Sequence, residues 1–150
     1  MPTKKTRRKT RPRSSVAVQR AARGAPATGL LRRCALAAAG NGWTLALRVV
    51  GAAEAKRLNA RYRRKARPTN VLSFGYGGGR GDLVLCHPVI AREARRQRKS
   101  LRAHYAHLVV HGVLHLRGHD HVGKSDAARM ERAEVRVLKR LGFGDPYEET

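Results

Sequence analysis

Five of the seven histidines in this chain fall between positions 107 and 121, in the stretch HLVVHGVLHLRGHDH. His111 and His115 stand four apart in an apolar run, so on a helix both imidazoles leave one face, one turn apart. Gly118 is a helix stop, and beyond it the chain can fold back to bring His121 to the same point from a loop. Three neutral imidazoles converging on one point are what a catalytic zinc site needs, with the fourth tetrahedral position left for water.

Two other histidines compete for these places. His107 shares the helix face but lies about 12 Å along the axis from His115, too far for two ligands each about 2 Å from one ion. It is therefore expected to support the site or pack in the core. His119 competes with His121, and the overall spacing H-x-x-x-H-x-x-G-x-x-H favours His121; this is the metzincin ligand spacing without its glutamate. Zinc proteases carry a glutamate general base after the first histidine, and here that position is Gly112. A peptidase reading thus loses its main catalytic residue.

Composition points to another substrate. Lys and Arg total 33 against 10 Asp and Glu, a formal net charge of +23 in 150 residues. That is the electrostatic footprint of a polyanion binder, and nucleic acid is the expected partner. No run of about 18 apolar residues and no signal-peptide core follows the basic N-terminus, so a membrane partner is not expected and a cytoplasmic location is. Cys34 and Cys86 form no C-x-x-C pair and read as small buried hydrophobes in a reducing compartment.

The elements that must position the histidines are legible in outline. Residues 1–28 combine Lys, Arg, Thr, Ser and Pro with almost no large apolar side chain, and read as a basic disordered arm before a single domain at 29–150. Leu30 to Ala39 reads as a helix, Trp43 to Val50 as a half-buried strand, and Ala52 to Lys65 as a helix whose end carries Arg61, Arg63, Arg64 and Lys65, with Arg67 beyond it. Pro68 to Phe74 and Asp82 to Cys86 are expected strands on either side of a glycine-rich connection. Helices follow from Pro88 to about Lys99, from Leu101 to Arg117, and from Ser125 or Asp126 to about Leu141. Strands and helices without regular alternation imply an α+β fold.

Taken together, LNARYRRKARPTNVLSF (Leu58 to Phe74), GDLVLC (Gly81 to Cys86), HGVLHLRGHDH (His111 to His121) and the closing GFGDPY resemble the bacterial YbeY rRNA maturation factor family. The resemblance implies a single-domain α+β protein with a zincin-like metal helix, one zinc ion per chain, and single-strand-specific endoribonuclease activity. It implies a role in rRNA processing, notably 16S rRNA 3′-end maturation, and in ribosome biogenesis. A ribosome or ribosomal protein is then an expected partner. The family motif places the metal ligands on His111, His115 and His121, and the arginine that faces the metal across the substrate channel on Arg63, after Tyr62.

On this reading Arg63 holds a phosphate oxygen, and Arg61, Arg64, Lys65 and Arg67 guide the RNA backbone. Asp120 is placed to orient a ligand imidazole. Two other functions fit parts of the pattern. One is a non-catalytic rRNA or ribosome-binding assembly factor with a structural zinc, for which His119 would have to supply a fourth ligand. The other is a zinc peptidase, which Gly112 disfavours.

Overall fold

A computed structural model describes residues 11–63, 69–118 and 124–148; for Tyr62, Arg63 and Lys124 this is the backbone only. Strand β1 (Ser15–Arg20) leads into helix α1 (Thr28–Ala39), strand β2 (Thr44–Val50) and helix α2 (Ala52–Arg63). The hairpin of β3 (Val71–Gly77) and β4 (Arg80–Cys86) follows, and then α3 (His87–Arg96), α4 (Leu101–Leu116) and α5 (Lys124–Arg140). The sheet order is β1-β2-β4-β3, with β1, β2 and β4 parallel and β3 antiparallel to β4 at one edge. Among the described residues the mixed sheet and five helices make this the α+β fold that the pattern implies.

Alternation along the strands produces two unequal cores. Leu45, Leu47, Val49, Leu83 and Leu85 join the larger cluster, which α1, α4 and α5 cover with Leu31, Cys34, Tyr105, Val109, Val113 and Met130. Val50, Leu72, Val84 and Cys86 turn to the other face, where Ala55 and Leu58 of α2 cover them. Apart from the side that carries its histidines, helix α4 is largely apolar because it lies at the centre of the larger cluster. Ser100 starts α4 by accepting a hydrogen bond from the Ala103 amide at 3.0 Å, a cap worth about 1 kcal/mol. Gly118, at φ 94°, stops it in the left-handed region that glycine occupies without penalty.

The N-terminal expectation is corrected for residues 11–28. Ser15–Arg20 is not part of a loose arm but pairs with Thr44–Val49 in register. Ser14 Oγ donates to the Gly40 carbonyl at 2.6 Å and accepts from the Trp43 amide at 2.9 Å. Arg20 reaches the carbonyls of Ala25 and Pro26. Counting large apolar residues missed this segment because an edge strand draws on ladder hydrogen bonds and needs only Val16 and Val18 to face the core. Residues 1–10 lie outside the described residues.

The glycine-rich connection is a tight reversal between β3 and β4. Gly77, Gly78 and Gly79 have φ of 80°, 62° and 75° in succession, a path closed to residues with a Cβ. Deep in the larger core, Cys34 is fully buried. Burial pushes its thiol up to about 11, against the pull of Arg33 and Arg102. It is expected to resist alkylation by iodoacetamide in the folded protein at mildly alkaline pH and to react promptly once denatured. Equal labelling rates in the two states would contradict that placement.

Candidate metal centre

Helix α4 carries His104, His107, His111 and His115 at spacings of three, four and four, so they descend one side of the helix turn by turn. His111 is half-buried and His115, in the last turn, is exposed. The helix and its cap therefore hold two of the expected ligands on one face. His121, together with His119 and Asp120, lies outside the described residues. Arg63 is the last residue of α2, and its side chain lies outside the described residues. Arg61 is exposed on that helix, whereas Arg64, Lys65 and Arg67 lie outside the described residues.

Two residues not among the expected site residues stand beside the α4 histidines, Glu134 against His107 and His111 and Tyr147 against His107. Glu134 of α5 is fully buried, and its carboxylate faces α4. Its Oε1 lies 2.5 Å from His111 Nδ1, and its Oε2 lies 3.1 Å from His107 Nε2. The Tyr147 hydroxyl, from the C-terminal segment, also donates to Oε2 and lies 3.2 Å from His107 Nε2. Burial alone would raise the Glu134 carboxyl, but the hydrogen bonds from His107, His111 and Tyr147 outweigh it and hold the group down at about 2. At neutral pH the carboxylate is thus ionised and can only accept.

That fixes the tautomers. His111 must donate through Nδ1, so Nε2 is the ring nitrogen that carries a lone pair when the imidazole is neutral. A carboxylate that grips one nitrogen of an imidazole and so aims the other is the supporting arrangement of metal-ligating histidines. For His107 the same logic puts the lone pair on Nδ1, which is buried without a hydrogen-bond partner among the described residues. The side chains of His107, His111 and Glu134 offer ligand atoms within 4.8 Å of one another, so this group could itself hold a metal ion. In the structure those atoms are joined by hydrogen bonds. His107 lies eight positions from His115 but only one helical turn from His111.

Glu134 was findable from sequence. Met130, Ala133, Val137 and Leu138 are buried on α5, and position 134 falls inside that stripe at helical spacing. A carboxylate on a buried stripe needs partners. Tyr147 closes the GFGDPY motif, but nothing local in that motif signals its contact with His107.

The glycine in the protease general-base position is also explained. Gly112 is buried, and a Cβ there would come within 2.5 Å of Leu83 Cδ2 and 3.3 Å of Ser73 Oγ. This side of α4 is pressed onto β3 and β4, so a glutamate at 112 would enter the core and not the site. Gly112→Ala is expected to destabilise the fold by about 1–3 kcal/mol through overpacking against the fully buried Leu83. A thermal melt matching the wild type would show that Leu83 yields freely.

Comparison with known proteins follows the same lines as the geometry. The family model described as Endoribonuclease YbeY matches residues 16–142. The Endoribonuclease YbeY of Aromatoleum aromaticum is 52% identical over 125 residues, covering 81% of each chain. That of Bordetella pertussis is 54% identical over 111 residues, covering 71% of each, and that of Nitrosomonas eutropha is 47% identical over 125 residues, covering 81% of this chain and 89% of its own. The solution structure of a Thermotoga maritima protein aligns with TM-score 0.59 and 21% identity over 90% of this chain and 100% of that one, a likeness in fold. The match from residue 16 agrees with β1 being part of the domain.

Proposed function

The chain belongs to the endoribonuclease YbeY family, and we propose that it is a zinc-dependent, single-strand-specific endoribonuclease of rRNA processing, with its metal held by His111, His115 and His121. The observation that carries the metal assignment is the Glu134 carboxylate on His111 Nδ1, which orients that imidazole toward a ligand through Nε2. His115 follows one helical turn later on the same face, and its exposure suits a ligand at the mouth of a site open to RNA. Zinc fits three imidazoles; when bound it supplies Lewis acidity that lowers the pKa of coordinated water toward about 7.

The chain's own residues do the rest. Arg63, which ends α2, binds a phosphate oxygen and stabilises the charge that grows there as the backbone is attacked. Arg61, Arg64, Lys65 and Arg67 hold the flanking phosphates, and Asp120 orients the third imidazole. A net charge of +23 supports RNA binding in a cytoplasmic setting, and 16S rRNA 3′-end maturation on or near the ribosome, in contact with a ribosomal protein, is the proposed context. Among the described residues no helix is long and apolar enough to cross a membrane.

The test is cleavage of a labelled small-subunit rRNA 3′-end precursor by the purified full chain, before and after chelation and with zinc restored. Cutting confined to single-stranded positions, lost on chelation and regained with zinc, is the expected result. RNA binding without cutting under all three conditions would replace the nuclease with an assembly factor.

A further inference from the structure

The end of α4 opposite His115 carries a second concentration of charge. Between positions 92 and 102 the chain reads REARRQRKSLR, with six cations and one acid. Arg92, Arg95 and Arg96 are exposed on α3, Arg98 in the connecting turn, and Arg102 on the first turn of α4. The one acid, Glu93, is turned inward, 3.0 Å from His104 Nε2 and within hydrogen-bond reach of Asn70 Nδ2 at 3.1 Å. The outward face of this corner is therefore cationic throughout. Thirteen residues of helix separate Arg102 from His115, about 20 Å along the axis.

Arg95 and Arg96 lie in the last turn of α3, where the macrodipole favours cations, but helix stability does not account for Arg102. Helix α4 has no acidic residue in its first turn, and Arg102 stands there instead, where the macrodipole disfavours a cation. Arg98, at φ 54° the one non-glycine residue with positive φ among those described, closes α3 in a capping turn in which the Lys99 amide donates to the Ala94 carbonyl at 2.9 Å. An anion bound at the corner offsets the unfavourable placement of Arg102. Lys99 is committed elsewhere, donating to the Pro146 carbonyl at 2.6 Å.

We infer that the α3–α4 corner is a docking surface for the phosphate backbone of double-helical RNA, separate from the cleavage site and holding the stem of a structured substrate while its single-stranded part reaches α4's far end. The inference rests on the reading that RNA is the substrate. Duplex is favoured because single-strand grooves combine charge with aromatic platforms for bases. Among the described residues the exposed large hydrophobic side chains are Tyr76 and Tyr147; Tyr147, next to the Pro146 that accepts from Lys99, is the one that borders the corner, and it is committed to α4 and α5 through His107 and Glu134. A surface of cations alone reads backbone and shape, which is how RNA helices are recognised.

The test uses the full chain and two RNAs, a short single-stranded oligonucleotide and the same oligonucleotide extended by a hairpin stem. Binding is measured in a His115→Ala background and cleavage in the wild-type background. One variant combines Arg92→Gln, Arg95→Gln, Arg96→Gln and Arg102→Gln; a control removes the same charge from α5 through Arg132→Gln, Arg136→Gln, Lys139→Gln and Arg140→Gln. The corner variant is expected to lose about tenfold or more in affinity for the stem-bearing RNA, with its salt slope smaller by about 3. Its affinity for and cleavage of the short oligonucleotide should match the parent. Equal losses in both variants, or no loss in either, would overturn the inference, as would an equal loss on the short oligonucleotide. Loss of binding to phosphatidylserine vesicles with stem affinity intact would reassign the corner to a membrane. If the wild type fails to cut the short oligonucleotide, the nuclease reading fails while the binding comparison still decides. Should the fourfold variant not fold, Arg95→Gln and Arg96→Gln singly, both at exposed sites, repeat the comparison.

Discussion

His115→Ala is expected to abolish cleavage of single-stranded RNA, because the ion would keep only two of the three imidazoles that a catalytic zinc site needs. The fold should survive, because His115 is exposed in the last turn of α4 and alanine is the best helix former. Circular dichroism and RNA affinity should stay at wild-type values while zinc binding weakens. Arg63→Ala separates the two roles: it should retain zinc and lose rate. If instead His115→Ala keeps both zinc and cutting while His107→Ala loses them, the ion belongs to the group of His107, His111 and Glu134, and the proposed ligand set is wrong.

The second large effect is expected at Glu134. Glu134→Ala removes a buried carboxylate and strands three donors, from His107, His111 and Tyr147. An unsatisfied buried donor costs about 1–3 kcal/mol; that falls mainly on His107, since Tyr147 is exposed and His111 half-buried, and with the cavity left behind the variant should have a clearly lowered melting temperature. Glu134→Gln keeps the volume, yet turns an amide N–H toward groups that also donate. It should fold with a lowered melting temperature and bind zinc about 10–100-fold more weakly, the usual effect of removing a carboxylate that supports a metal-ligating histidine. Wild-type zinc affinity in a folded Glu134→Gln protein would show that the carboxylate plays no part in holding the ion.

The same residue sets an acid limit on the metal-free protein. The folded-state value of Glu134 is depressed from 4.5 to about 2, so below 4.5 the unfolded chain takes up a proton that the folded chain refuses. The stabilisation is complete above 4.5 and is lost as the pH falls toward 2. Denaturation of the chelated wild type should show this loss, and Glu134→Gln should lack it. A parallel acid profile in both proteins would remove Glu134 as the source.

How much of this is legible in the sequence depends on the range of each interaction. The register of His107, His111 and His115 on α4, the stop at Gly118 and the strand alternation of β2 and β4 are local. They follow from helical and pleated periodicity within a few residues, and spacing alone determined them. Charge is a sum over the chain and needs no structure to read. Helix ends differ from the expected ones by a few residues, as at α3, which stops at Arg96 where Lys99 is the expected end, because fraying and turn geometry decide termini.

What the tertiary structure decided is long-range. Glu134 meets His111 across 23 positions, and Tyr147 meets His107 across 40; both contacts depend on how α5 and the C-terminal segment lie against α4. The pairing of β1 with β2 spans 29 positions at Ser15 and Thr44, so a segment with few apolar residues is ordered by a partner that its own composition does not reveal. Gly112 follows the same rule: as a letter it marks a missing general base, and only the approach of Leu83 shows that this face of the helix belongs to the core. Periodicity decides which face of a helix a residue shares. The burial of that face, and the carboxylate that reaches it, are set by packing between segments far apart in the chain.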